Sequence, residues 1–376
     1  MTINTLVEEL RPTIEQHRDE ADRLGRLPDQ LVAQLREAGA FRLYLPHELG
    51  GAELSLRATL ELLEGLGRID GATAWTVWNL NMGLVAAMLP PSGVAKLGPD
   101  PLMANSTSPG TAIPDGDGYR LSGEWKIVSG AHAAEWFWLN SIVMRDGEMS
   151  IVDGQPELRL CCVPREQVEM RDTWSVNGMR GSDSNTVVVA DVTVDADLTC
   201  LLTAPSRLDR MPYRVGPLSL VFPGGAAALA GVAQAAVDEV IALAHVKRTP
   251  HGEPLSSDIR LQEAIGRASA QIRGARLSLF GIAGELDRMA EAREPITDSE
   301  RAALRGTTTH TMEVARTVLT SMYEAGSSNP LYTDSRLGRL FRDGHAAAQH
   351  RNLSTEAYPL IGRVLLGLPT GEPFVC

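Results

Sequence analysis

Two histidines, His345 and His350, stand five residues apart in the segment RDGHAAAQH, residues 342–350. Imidazole is the side chain that takes or gives a proton near neutral pH. On one helix these two rings would point roughly 140° apart, so they cannot serve one site and make a poor metal pair. Read alone, either is a surface histidine or a satisfied core histidine. Ser129 precedes Gly130 and by itself reads as a turn hydroxyl. Trp75, Trp78, Asn79 and Asn81 share one apolar stretch. Trp75 reads as core there. Trp78 and the two carboxamides are less easily explained as packing, because buried amides need partners, and they are candidate substrate contacts. Trp125 and Trp174 read as packing.

Several chemistries lack their motifs. No G-x-G-x-x-G follows a strand and no G-x-x-x-x-G-K-[ST] occurs, so neither a dinucleotide nor a nucleoside-triphosphate fold is supported. There is no G-x-S-x-G elbow and no H-E-x-x-H. Cys161 and Cys162 are adjacent, Cys200 is isolated and Cys376 is the last residue, which is neither a metal spacing nor a disulfide framework. No metal is expected, and a reducing cytoplasm is the expected compartment.

Composition narrows the partners. The 35 basic and 47 acidic residues give a formal charge of −12, which repels phosphate backbones and anionic lipids. Nucleic-acid and membrane roles are therefore not expected. The N-terminal segment is charged and amphipathic and lacks the apolar core of a signal peptide. The longest apolar stretch, near Ala226 to Val232, is too short to span a bilayer.

Three textures follow one another along the chain. Residues 1–104 read as a helical domain, with Leu31, Leu35 and Ala38, then Leu60, Leu63 and Leu66, at helical spacing. Trp75 to Met88 reads as one further helix, stopped at Pro90-Pro91. Residues 105–205 are rich in short β-branched and aromatic runs separated by turns such as Asp115-Gly116-Asp117-Gly118, which predicts a small β-barrel or sandwich. Residues 206–376 predict a four-helix bundle, with helices over 225–245, 262–290, 299–324 and 335–353. The fold class is mainly α with a central β domain.

Four segments, in order, now carry a resemblance. Leu45-Pro46-His47-Glu48-Leu49-Gly50-Gly51, the stretch GYRLSGEWKIVSG (residues 118–130), VNGMRGSDS (residues 176–184) and RTPHGEPL (residues 248–255) with Gln262 resemble the signatures of acyl-CoA dehydrogenases over nearly the whole chain. Details resemble the flavin-dependent monooxygenase branch: Ala74-Trp75 after Asp70-Gly71-Ala72, Ser129-Gly130 where dehydrogenases carry Thr-Asn, and residues 342–350. Many dehydrogenases place a Tyr-Glu-Gly-Thr segment there, whose Glu removes the substrate's α-proton. Here those positions hold His350 and Arg351. Other dehydrogenases carry the base on a different helix, so the dehydrogenase or flavin-oxidase alternative stays open.

The resemblance implies an oxygenase that takes reduced FMN or FAD from a separate flavin reductase, with O2 as co-substrate. Its route would be a flavin hydroperoxide that hydroxylates or N-oxidises an aromatic or secondary-metabolite small molecule, in a homotetramer. The resemblance makes His350 the catalytic imidazole and Ser129 the catalytic hydroxyl. It assigns cofactor contacts to Ser106, Thr107, Ser108, Val128, Ser129 and Gly130. Arg248 is implied to reach the flavin phosphate of a neighbouring subunit. Its other reading is a helix C-terminal arginine facing the helix dipole. Gly326, Ser327 and Ser328 are phosphate donors or an ordinary turn. Trp78, Asn79 and Asn81 would line the substrate pocket.

Overall fold

The computed structural model describes residues 3–370 except 153, 249 and 250, and leaves out the side chain of Thr107. Thr249, Pro250 and Cys376 lie outside the described residues.

The N-terminal helices are α1 (Ile3–Leu24), α2 (Asp29–Glu37), α3 (Leu56–Ile69), α4 (Gly71–Leu80) and α5 (Pro91–Leu97). Side-chain caps set two of the starts. Ser55 accepts the Ala58 N–H ahead of α3, and Asp70 accepts the Thr73 N–H ahead of α4. The apolar stretch from Trp75 to Met88 is not one helix. It breaks at Asn81 (φ −85°, ψ 36°), and a 3-10 segment, Met82–Met88, follows. The cause is Asn81 itself. Its carboxamide oxygen accepts the Leu43 N–H at 2.8 Å, while its nitrogen donates to Ala40 O at 2.8 Å and Val77 O at 2.7 Å. That side chain ties α4 to the chain after α2.

The β region holds β1 (Met103–Asp115), β2 (Gly118–Val128), β3 (Trp136–Arg145), β4 (Glu148–Met149), β5 (Ile151–Val152), β6 (Gln155–Pro156), β7 (Leu158–Pro164), β8 (Glu169–Arg171), β9 (Asn185–Val194) and β10 (Thr199–Leu201). The main sheet runs β10-β7-β3-β1-β2-β9-β8, with β4 beside β3; β5 and β6 form a separate pair. β1 and β3 are parallel, and the other pairs are antiparallel. The sheet curls until β7 and β9 touch. Two irregularities matter for the site. The β1–β3 register shifts between Ser106 and Gly110, and the β2–β9 register shifts between Trp125 and Val128. Such bulges re-aim side chains. Ser106 and Ser108 therefore lie within a strand, at its bulge.

The C-terminal helices are α6 (Pro217–Val221), α7 (Pro223–Val246), α8 (Ile259–Glu291), α9 (Asp298–Ala325), α10 (Arg336–Ala347) and α11 (Ala357–Leu365). α7 is largely apolar and mostly buried and is the axis of this part, packing on α3, α4, α8, α9 and α10. Residues 217–246 are long and apolar enough to cross a bilayer, longer than the stretch read from the sequence, but 89% of their apolar window is buried inside the protein. Small residues bring α3 and α7 close. A Cβ on Gly67 would sit 2.1 Å from Ala228 O, and one on Gly231 2.1 Å from Glu64 O. The last predicted helix is shorter than 335–353. α10 ends at Ala347, and His350 occupies the turn before a 3-10 segment, Arg351–Leu353. Asp343 of α10 is buried and accepts the Met179 N–H at 2.6 Å, which fastens the bundle to the β region.

Candidate active site

A cavity of about 70 Å³ lies where α4, α6, the sheet and the turn after α10 meet. From α4 and its extension come Trp78, Asn79 and Met82; β1 gives Asn105 and Ser106; β3 gives Asn140. Leu160, Leu202, Leu218, Val221 and Phe222 supply apolar wall, and His350 and Asn352 close it. Among the described residues, no Asp, Glu, Lys or Arg lines this space. Its polar groups are one imidazole, one hydroxyl and four carboxamides.

His350 is held by two indoles. Its ring meets Trp75 at 5.7 Å between centroids and Trp78 at 5.6 Å, both edge to face. Nδ1 is buried with no hydrogen-bond partner among the described residues. Burial, and then the charge of Arg305, lower its pKa to about 4, so the ring is neutral at physiological pH. Trp78 is itself fixed, donating its indole N–H to Val221 O at 2.7 Å. Two glycines make room for that indole. A Cβ on Gly224 would come within 2.4 Å of it and one on Gly225 within 2.8 Å. Asn79 donates to Trp75 O at 2.9 Å. His345 belongs elsewhere, with Nε2 3.1 Å from Thr320 Oγ1 and its ring against Phe341. The two histidines do part, but the turn after α10 separates them, since His350 is not on the helix.

Ser129 does not line the His350 cavity. It is buried, with Oγ 2.8 Å from Ser184 Oγ, which is 2.8 Å from Ser182 Oγ. Gly130, at φ +73°, donates its N–H to Ser182 O at 2.9 Å and lines a separate cavity of about 280 Å³. Val128 is fully buried. Ser106 Oγ donates to Lys126 O and accepts the Ser108 N–H, each at 3.2 Å, which joins β1 to the end of β2.

Other candidates fall away from the cavity. Asn81 is corrected from substrate contact to strut, because its donors and acceptor are spent on the backbone. Gly326, Ser327 and Ser328 follow the C-terminal end of α9, the negative pole of a helix, which disfavours an anion. Gly326 serves packing instead, since a Cβ there would lie 2.4 Å from Leu337. Arg248 is exposed after α7, donates to Gly252 O at 2.9 Å, and lines neither cavity.

Sequence reading missed three features. Ile127 is 63% exposed at φ +58°, a rare backbone for a β-branched residue, and it sits in the bulge beside Val128. His132 donates its backbone N–H to Asp183 at 2.6 Å and holds a second contact of 2.6 Å through Nδ1. Asp183 raises the His132 pKa, and the pair clasps the Ser129 turn to residues 182–184. Asn105, Asn140 and Asn352 were also unmarked. The only signal was proximity, since Asn105 adjoins Ser106 and Asn352 follows His350 by two.

Two family models match the chain: "Acyl-CoA dehydrogenase, N-terminal domain" over residues 1–95 and "Acyl-CoA dehydrogenase, C-terminal domain" over residues 224–355. The chain is 27% identical to an indole-3-acetate monooxygenase of Pseudomonas putida, over 93% of this chain and 89% of that one. It is 28% identical to the flavin-dependent monooxygenase oxygenase subunit HsaA of Rhodococcus jostii, over 97% and 98%. In three dimensions it superposes on XiaF from a Streptomyces species, solved with FADH2 and glycerol, with a TM-score of 0.90 at 24% identity over 98% and 96% of the two chains. The chain belongs to the acyl-CoA dehydrogenase superfamily and, within it, to the oxygenase components of flavin-dependent monooxygenases.

Proposed function

We propose that this protein hydroxylates an aromatic small molecule, using O2 and reduced FMN or FAD delivered by a separate flavin reductase. The wall around His350 carries the reading. Among the described residues it presents a neutral imidazole and carboxamides but no carboxylate. A dehydrogenase that removes an α-proton needs a strong enough base there, and a neutral imidazole with a pKa of about 4 is a hydrogen-bond partner rather than such a base.

A reduced flavin, when bound, supplies the two electrons with which one atom of O2 enters the substrate and the other leaves as water. The residues present fit a flat cofactor. Ile127 offers an apolar face, 63% exposed, next to the clasped Ser129 turn, and Ser106, whose Oγ reaches Lys126 O, lines one cavity with His350. Ser106, Ile127 and Ser129 would hold the ring. Buried Nδ1 of His350, unpartnered in the protein, offers a hydrogen bond to the reacting oxygen or the substrate. The apolar wall excludes water, which favours productive transfer over loss of peroxide.

Exposed Val246, Ile259 and Leu277 on α7 and α8 support assembly of several copies, and a homotetramer is the state we propose. Arg248 of another copy would then serve the cofactor phosphate. The free, buried Cys161, Cys162 and Cys200 support a reducing compartment such as the cytoplasm. The substrate class extends to secondary metabolites, by C-hydroxylation or N-oxidation.

The test supplies reduced FMN or FAD, isotopically labelled O2 and a panel of phenols and indoles, and analyses products by mass. Label in an aromatic product is the expected result. Desaturation of acyl-CoA with an artificial acceptor and no label in any aromatic would overturn the proposal.

A further inference from the structure

The cavity around His350 is too small, as it stands, for an aromatic ring. It measures about 70 Å³, whereas benzene occupies an apolar protein cavity of roughly 150 Å³. A ring beside His350 therefore needs space from next door. A second cavity, of about 390 Å³, lies under residues 202–218. Among the described residues, Leu202 and Leu218 alone line both.

The two leucines have the properties of a movable partition. Leu202 follows β10, and its N–H donates to Leu158 O at 3.1 Å. Leu218 is the second residue of α6, and its carbonyl accepts the Phe222 N–H at 3.1 Å. Their backbones are thus tied, while both residues are only part-buried and have open volume on the outer side. A leucine side chain turns between staggered rotamers, so an outward swing joins the two spaces. The outer cavity keeps its walls meanwhile. Ser206 Oγ and the Arg207 N–H donate to Ala87 O at 3.2 and 2.8 Å. The Tyr213 hydroxyl donates to Tyr44 O at 3.1 Å, and Arg301 donates to Val215 O at 3.0 Å. Arg214 and Asp209 pair with each other at 2.7 Å. Ala204, Pro205, Leu208 and Pro217 join the two leucines in giving this cavity apolar surface, which gains by being covered.

We infer that the substrate is an aromatic bearing an uncharged, apolar arm, with its ring at His350 and the arm carried between Leu202 and Leu218 into the outer cavity. This assignment rests on the oxygenase reading. It makes the two leucines specificity determinants: they set what may pass from ring to arm, while the chemistry stays at the His350 end.

Calorimetric titrations of the flavin-loaded protein would compare phenol, 4-ethylphenol, 4-butylphenol and 4-hexylphenol. Affinity should rise about three- to four-fold per added methylene, the scale of apolar burial. Ala204→Phe fills the outer cavity from its own wall and should flatten that rise. Leu218→Ala widens the passage and should raise the affinity of 4-tert-butylphenol relative to its straight-chain isomer, a ratio that general loss of stability would not move. 4-Butylphenol should also bind more tightly than 4-(4-hydroxyphenyl)butanoate, which matches it in length and ends in a charge. An affinity independent of arm length would overturn the inference, as would a rise that survives Ala204→Phe. So would an unchanged isomer ratio in Leu218→Ala, or tighter binding of the acid. Failure of the oxygenase reading looks different, since no aromatic, with or without an arm, would then acquire labelled oxygen.

Discussion

Trp78 and His350 meet edge to face with centroids 5.6 Å apart and planes inclined by 60°, so an α4 side chain sets the orientation of an imidazole from the far end of the chain. The indole is in turn pinned to Val221 O, which makes α4, α6 and the turn after α10 a single mechanical unit around the cavity.

Replacing Trp78 by Phe should disturb that unit while leaving the fold intact. The substitution removes the indole hydrogen bond and part of a buried ring, for a cost of about 1–3 kcal/mol. Thermal unfolding should report the lower stability. Oxygen uptake compared with product should show poorer coupling, because a smaller ring no longer pinned to Val221 O holds the His350 imidazole less firmly. Unchanged coupling would separate ring orientation from the chemistry.

His350→Gln should lower product formation about 100-fold or more while oxygen uptake continues and hydrogen peroxide accumulates. The pH dependence has a definite sign. Burial depresses the folded-state pKa to about 4 from an ordinary 6.5, so the unfolded chain takes up the proton first. The wild type therefore loses stability as pH falls from about 6.5 towards 4, and the glutamine variant should lose less over that window. Parallel Tm curves for the two proteins would contradict this.

Asp343 should act with the opposite sign. Burial, and then the nearby Asp70 carboxylate, raise its pKa to about 7. Its stabilising proton is fully in place at low pH and is lost as pH rises through about 7. Asp343→Asn keeps an oxygen for the Met179 N–H and carries no charge. It should raise Tm at pH 8 by roughly 2 °C or more, with a smaller gain at pH 5. Equal gains at both values would refute the titration argument.

Ser129→Ala is a test of proximity. If the Ser129 turn supports the cofactor, the variant should weaken affinity for reduced flavin several-fold in equilibrium titrations. Ser182→Ala, at the other end of the hydroxyl chain, should have a smaller effect. Equal losses from both would assign the chain to scaffolding alone.

The order of helices, strands and helices was legible because periodicity and turn residues are local signals, and the four signature segments survive as short contiguous stretches. Asn81 was misread for a reason no local pattern contains. Its partners Ala40 and Leu43 come from another element, and only their arrival decides that the amide faces backbone. The helix end before His350 was hidden as well. Nothing in Ala346-Ala347-Ala348-Gln349 stops a helix, yet the chain leaves α10 there and the His350 ring packs on Trp75 and Trp78. Ile127 shows the same limit, since its left-handed backbone belongs to a register shift between two strands.

The indole of Trp78 fills the hollow left by Gly224 and Gly225, so cavity volume here is a shared possession of α4 and α7. Neither helix can change its share alone. A smaller side chain at 78 leaves a void, and an alanine at 225 drives into the ring. Exchanged together, the two losses would cancel. Variation in what the cavity admits should therefore travel as a pair, with bulk moving from one helix to the other and the sum held nearly constant.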